Sequence, residues 1–128
     1  MKVWIGKTLV GIGIVHSIGG FMFFRPTLGV FLSERLFKTI TVGGDPVREA
    51  AFWFFFGGFT LMIIGGLVDR LERLGERLPA FLGGSFVALT VLGIIMMPAS
   101  GFWLLILPTV GMVHRNIRNT NAVVEQSL

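Results

Sequence analysis

The sequence predicts an all-α membrane four-helix bundle, and three observations support this fold class. Hydrophobic residues make up 53% of the 128 residues, whereas charged residues make up only 14%. This balance is unusual for a soluble globular domain. The apolar residues fall into four runs, and the charged residues gather between the runs. At ~1.5 Å of rise per residue, each of the first three runs is about as long as a bilayer core is thick.

The boundaries of the four spans follow from local signals, and together the spans form a single transmembrane domain. The first span ends before Arg25-Pro26, because proline disfavours helical geometry in the residue that precedes it. The second begins at Asp45-Pro46, an acidic N-cap followed by a proline that fits the first helical turn. Pro79 opens the third span, and a tight hairpin joins it to the fourth. The predicted spans are residues 3–24, 47–68, 79–97 and 101–117.

A short amphipathic helix is expected between the first two spans. In residues 28–39, apolar side chains recur at three- and four-residue steps, and polar side chains occupy the other faces. A helix with this pattern lies in the interface between membrane and water. Gly43-Gly44 is expected to end this connecting segment before the second span begins.

The distribution of Lys and Arg predicts that both termini are cytoplasmic. With four spans, the termini share one side of the membrane with the loop between the second and third spans. Cytoplasmic segments of membrane proteins carry an excess of these basic residues. On the side of the termini there are seven, Lys2, Lys7, Arg70, Arg73, Arg77, Arg115 and Arg118. On the opposite side there are four, Arg25, Arg35, Lys38 and Arg48.

Small residues are predicted to form the contacts between helices. In lipid there is little hydrophobic force between helices, so close approach of their backbones is what holds a bundle together. A bulky residue at Gly58 or Gly84 is therefore expected to disrupt folding or assembly. The predicted contact residues are Gly13, Gly20, Gly57, Gly58, Gly65, Gly66, Gly83, Gly84 and Ala88.

Cysteine content and charge exclude several classes of function. The chain has no cysteine, which excludes disulfides, thiolate metal sites and thiol–disulfide chemistry. The net charge is +4, but the basic residues flank helix ends and form no stripe on a soluble domain. Nucleic acid is therefore not an expected partner. No catalytic, metal or cofactor motif is evident in the sequence, so the sequence leaves the identity of any cofactor unknown.

Five residues are candidates for a ligand-binding or proton-carrying site: His16, Arg48, Glu49, Trp53 and Trp103. His16 lies near the middle of the first span, where an ionisable side chain is costly and suggests a function. The other four lie toward the outer ends of their spans, and with His16 they could line a polar pocket with apolar walls. Two alternatives remain open. His16 could be a neutral imidazole bonded to a neighbouring hydroxyl. Arg48 and Glu49 could form interfacial caps and ion pairs.

A series of short segments resembles a family of small four-helix bacterial integral membrane proteins with no assigned activity. The resemblance covers nearly the full chain, and its most specific part is the hairpin motif Pro98-Ala99-Ser100-Gly101-Phe102-Trp103. It implies a multi-pass protein of the bacterial cytoplasmic (inner) membrane. The other matching segments are Trp4-Ile5-Gly6-Lys7, His16, Ala51-Phe52-Trp53-Phe54, Gly65-Gly66 and Leu82-Gly83.

The function predicted from these observations is helix packing within the lipid bilayer, as a homo-oligomer or as an accessory subunit of a membrane complex. Two other hypotheses remain open. One is binding or transport of a small lipophilic molecule in a pocket around His16. The other is a membrane enzyme that acts on a lipid or isoprenoid, with His16 or Glu49 as acid or base. An enzyme needs a proton donor and acceptor placed together, and the sequence does not show such a pair.

Overall fold

The computed structural model describes residues 2–41 and 43–127, and most of these residues are helical. No strand occurs in the described residues, so the predicted all-α class is confirmed. A 3₁₀ helix, Gly101–Leu105, directly precedes the last α-helix. The α-helices are α1 (Ile5–Phe23), α2 (Arg25–Ser33), α3 (Pro46–Arg73), α4 (Ala80–Met96) and α5 (Ile106–Ser127).

Two of the helices, α1 and α3, are long and apolar enough to cross a membrane, judged by length and composition. The apolar helix α4 is shorter, with 17 residues. The fourth predicted span begins as the 3₁₀ helix, and its α-helical part continues to Ser127, past the predicted end at residue 117. Proline has no N–H to donate within an α-helix, so Pro108 is tolerated only in the first turn of α5. That four segments of the chain cross a membrane, with both termini on one side, stays a prediction.

The ends of α3 are set by local signals. Asp45 Oδ1 accepts a hydrogen bond from the Val47 amide at 2.9 Å, which confirms the predicted N-cap. At the other end Gly75 has a φ of +70°, a left-handed conformation that suits glycine. The Gly75 amide donates to the Glu72 carbonyl (3.2 Å), and the Glu76 amide donates to the Leu71 carbonyl (3.0 Å). This Schellman arrangement ends the helix several residues beyond the predicted span.

The connecting helix α2 begins and ends earlier than the predicted segment at 28–39. It starts at Arg25, because Pro26 fits a first helical turn as well as it ends the preceding helix. It ends at Ser33, and the next residue, Glu34, forms an ion pair with Arg48 at the start of α3. This contact between distant residues favours a reversal of the chain over continuation of the helix. Three non-glycine residues of the reversal have left-handed φ angles, Arg35 (55°), Leu36 (60°) and Lys38 (52°).

The helices α1 and α3 are antiparallel and pack along glycines spaced by seven residues. On five buried glycines, Gly6, Gly13, Gly20, Gly58 and Gly65, an added Cβ atom would lie under 3.0 Å from atoms of the opposite helix. Four of these were predicted contact residues, and Gly6 extends the series by one step. The seven-residue period keeps the glycines of each helix on one face.

Adjacent glycines do not share this role, because successive side-chain positions on a helix differ by about 100° in direction. Gly57, Gly66 and Gly84 have no atom within 4 Å of an added Cβ. Gly83, not Gly84, is the glycine that faces α5, so nothing within the chain opposes an added Cβ at Gly84. The expectation that a bulky residue at Gly84 disrupts folding or assembly stays a prediction. Ala88 is exposed as well.

The hydrophobic core lies at the end of the molecule where α1 begins and α3 ends. Its buried members are Ile5, Leu9, Val68, Leu78, Phe86 and Met112. They come from α1, α3, α4, α5 and the loop before α4, so these four helices meet at this end. Among the described residues, α3 and α4 have no Cα atoms within 8 Å of each other. α1 lies against both α3 and α5, and α4 lies against α5.

Candidate functional site

A buried carboxylate, Glu72, lies where α1, α3 and α5 meet. Its side chain is 0% exposed. Glu72 Oε2 accepts a hydrogen bond from the Gly6 amide at 2.8 Å, and Oε1 accepts longer bonds from the Trp4 and Ile5 amides, both at 3.4 Å. The amides at the start of a helix have no partner within that helix. Glu72 therefore caps α1 from α3, with its negative charge at the positive end of the α1 dipole.

Arg115 of α5 completes this junction. Its Nη1 lies 2.9 Å from Glu72 Oε1, and its side chain is 7% exposed. An unpaired charge at such a place would cost several kcal/mol, so the two residues depend on each other. Arg115 was predicted as one of the basic residues that flank the membrane. As predicted, it lies at the end of the molecule where α1 begins and α3 ends, but it forms a buried contact between helices.

The sequence contains a signal for Glu72 that was missed. Ala51, Gly58, Gly65 and Glu72 are all buried and follow one another at seven-residue steps along α3. The face of α3 that packs on α1 therefore continues to Glu72. A carboxylate on a face of small residues indicates a buried polar contact, because buried polar groups require partners.

Asp69 is a second carboxylate in this region, one turn before Glu72. Its Oδ2 accepts a hydrogen bond from Arg73 Nε at 2.6 Å. Its Oδ1 is buried and has no hydrogen-bond partner among the described residues. The backbone of Asp69 lies directly against Gly6. Both carboxylates thus lie close to the start of α1.

His16 faces α3 and contacts Phe54 there in two ways. Its Nε2 lies 3.0 Å from the Phe54 carbonyl oxygen, so this nitrogen carries the hydrogen and donates it. The imidazole also stacks on the Phe54 ring, with centroids 3.8 Å apart and planes 10° apart. The hydroxyl partner considered from the sequence is replaced by a backbone carbonyl. The neighbouring Ser17 hydroxyl donates to the Gly13 carbonyl of its own helix at 2.9 Å.

Arg48 and Glu49 hold the segment between α2 and α3 against the start of α3. Arg48 Nη1 lies 3.0 Å from Glu34 Oε2 and donates to the Thr39 carbonyl at 3.1 Å. Glu49 Oε1 accepts from the Gly43 amide at 2.7 Å. These contacts agree with the alternative in which the pair forms interfacial caps and ion pairs.

The two tryptophans of the candidate site are exposed and lie on separate elements. Trp53 is 63% exposed, and its ring meets the rings of Phe52 and Phe56 on its own helix. Trp103 is 53% exposed, and its Nε1 donates to the Pro98 carbonyl at 2.8 Å. In the described part of the chain, no Cα atom of α3 lies within 8 Å of the 3₁₀ helix.

The structure therefore places His16 with α3 and places Arg48 and Glu49 with the preceding loop. It brings Trp103 to neither group. A ligand-binding or proton-carrying role for the five candidates stays a prediction. Among the described residues, no group of three or more His, Asp or Glu side chains is placed to hold a metal ion.

Residues 1–119 match a family of unknown function, DUF6463. The chain belongs to this family. The sequence resemblance to a family without an assigned activity is thereby confirmed. The matched region contains α1 to α4 and most of α5, so the Glu72–Arg115 junction and the glycine face between α1 and α3 lie wholly within the DUF6463 region. No curated protein and no solved structure matches the chain.

Proposed function

We propose that this protein spans the membrane several times and acts by associating with other membrane helices, first of all with a second copy of itself. The observation that carries this proposal is the uncovered apolar surface of α4. Its large side chains with exposed fractions from 41% to 73% are Phe81, Val87, Leu89, Val91, Leu92, Ile95 and Met96. An exposed apolar surface of this extent marks a site of contact with lipid or with protein.

The distribution of polar groups supports a membrane location. Several polar side chains are buried and bonded to one another, as the Thr90 and Thr109 hydroxyls are at 3.2 Å. The Glu72–Arg115 pair is buried in the same way. A hydrocarbon solvent favours this arrangement, with polar groups inside the protein and large apolar groups outside, because polar groups must then find their partners within the protein.

The outer face of α4 also carries the small residues that permit close contact. Gly84 and Ala88 are four residues apart and exposed, and Gly84 has no atom within 4 Å of an added Cβ. Small residues with this spacing let two membrane helices approach closely. In a two-fold dimer the same face of each copy meets the other, so one such face is sufficient.

The mass of the protein in mild detergent tests this proposal. We expect a dimer or larger oligomer by light scattering. Gly84→Leu should shift the protein toward the monomer and leave its helix content unchanged, because a Cβ at Gly84 meets no atom of the chain within 4 Å. Gly57→Leu is the matched control, since Gly57 is equally uncovered but lies on α3. A monomer that carries no partner at native expression would contradict the proposal, and a larger effect of Gly57→Leu would place the contact on α3.

A further inference from the structure

A groove lies between the end of α1 and the start of α2. The chain bends at Phe24, which separates the two helices. Apolar residues of both helices form nearly all of the lining. The lining residues that matter here are Ile18, Met22, Leu28, Leu32 and Arg25.

Among the described residues that line the groove, Arg25 alone is charged. Within residues 2–41 and 43–127 it forms no ion pair, whereas Arg48, Arg73 and Arg115 each pair with a carboxylate. Arg25 is also the first residue of α2, and Phe24 provides no side-chain cap for that helix. The positive end of the α2 dipole and the free guanidinium therefore lie at the same place.

We infer that this groove binds an anionic phospholipid, with an acyl chain along the apolar walls and the phosphate at Arg25. The inference rests on the proposed membrane location, because a spanning α1 places its end at the level of the lipid headgroups. The charges are complementary, since a guanidinium offers a planar set of donors that matches a phosphate. A free phosphate ion would contact Arg25 but would make no favourable contact with the apolar walls.

A substitution at Gly29 can test the role of the apolar walls of the groove. Gly29 lines the groove, and an added Cβ would meet no atom within 4 Å. The first atom of a leucine side chain at Gly29 therefore meets no other atom, and we expect the rest of the side chain to occupy the space assigned to the acyl chain. Arg35 provides the control for charge, because it is an exposed cation of the same region that does not line the groove.

Lipid retention measured by native mass spectrometry tests the inference. The probes are phosphatidylglycerol and phosphatidylcholine with identical acyl chains, added to the full chain in detergent. We expect the wild type to prefer phosphatidylglycerol and Arg25→Gln to bind it about fivefold more weakly, the effect of one basic residue at a membrane surface. Arg35→Gln should retain the preference, and Gly29→Leu should weaken the binding of both lipids.

Three outcomes would overturn the inference. Arg25→Gln could keep the wild-type preference, Arg35→Gln could lose it equally, or inorganic phosphate could displace the lipid completely. Membrane fractionation of the same wild-type protein separates this failure from failure of the proposed function. If the protein is found in the membrane but shows no lipid preference, only the lipid-binding inference is contradicted. If the protein is absent from the membrane, both the inference and the proposed function are contradicted.

Discussion

At the scale of single residues, Glu72 connects three helices, because it lies on α3 and contacts both α1 and α5. It accepts hydrogen bonds from the first turn of α1 and pairs with Arg115 of α5. Removal of one member of a buried ion pair leaves the other charge without compensation. The stability of the three-helix junction should therefore depend on both residues together.

Glu72→Ala should destabilise the protein by about 3–5 kcal/mol, because it leaves the Arg115 charge buried and unpaired. Glu72→Gln combined with Arg115→Met should recover part of this loss, since neither charge then remains. Thermal unfolding in detergent, followed by circular dichroism, measures the difference. Glu76→Ala is the control, because Glu76 is exposed at the same end of the molecule. Equal stability of the Glu72→Ala and Glu76→Ala variants would show that the junction contributes nothing.

His16 should act mainly as a contact to α3. Its partner, the Phe54 carbonyl, belongs to a helix whose carbonyls already accept bonds along the chain. His16→Gln should remain close to wild type because it keeps a donor, and His16→Leu should lose about 0.5–1.5 kcal/mol, the worth of one hydrogen bond. Thermal unfolding and detergent mass are the measurements. A His16→Gln variant that folds normally but no longer associates would assign His16 a functional role.

At the scale of helices, the contact between α1 and α3 depends on glycines that face each other. Gly13→Leu should disrupt folding, because a Cβ there would lie 2.9 Å from the Gly58 carbonyl oxygen. Overpacking of this kind costs about 1–3 kcal/mol or more. Gly11→Leu is the matched control on the same helix, where an added Cβ meets no atom within 4 Å. If circular dichroism and thermal unfolding show that the Gly13→Leu and Gly11→Leu variants are equally stable, the two helices do not pack through this face.

The elements that the sequence predicted well are those with local causes. The start of α3 follows from Asp45 and Pro46, which act on the residues next to them. The end of α2 was predicted too late, because it depends on the contact of Glu34 with Arg48, 14 residues away. The glycine period was visible in the sequence, but which of two adjacent glycines faces a neighbour depends on how the helices rotate.

The candidate site was harder to predict than the fold. Glu72 resembles any other charged residue near a helix end until its seven-residue relation to Gly65 is considered. Its partner Arg115 is 43 residues away and belongs to another helix. Periodicity can predict that such a residue is buried, but it cannot predict which helix supplies the opposite charge. The five residues chosen from the sequence were grouped by depth, and depth does not determine which helices are neighbours.

At the scale of the whole molecule, the two ends differ. The core and the Glu72–Arg115 pair lie at the end where α1 begins, and aromatic rings such as Phe21 and Phe55 join α1 and α3 near the other end. Both α3 and α4 lie at the outside of the arrangement and have no contact with each other through Cα atoms within 8 Å among the described residues. Lipid or a second copy can therefore cover their outer faces.

The proposed topology places the end with the core in the cytoplasm. Because Arg115 is buried in an ion pair, we discount it, and six Lys and Arg residues of the predicted seven remain on that side against four. A cysteine at Ser33 should react with an impermeant thiol reagent added outside intact cells, and a cysteine at Ser127 should not. The chain has no native cysteine, so labelling reports only the introduced residue. The reverse pattern would invert the topology.

Cross-linking in native membranes tests the central claim, that the protein associates through the outer face of α4. An introduced cysteine is the only thiol of the chain, so no disulfide can form within one copy, and the mass of the product distinguishes two joined copies from a link to another protein. Such a bond requires Cα atoms about 5.5–6 Å apart. We predict that Ala88→Cys forms a covalent dimer under mild oxidation and that Gly57→Cys, on α3, remains monomeric. The account would be contradicted if only Gly57→Cys formed a covalent dimer, or if neither variant formed one.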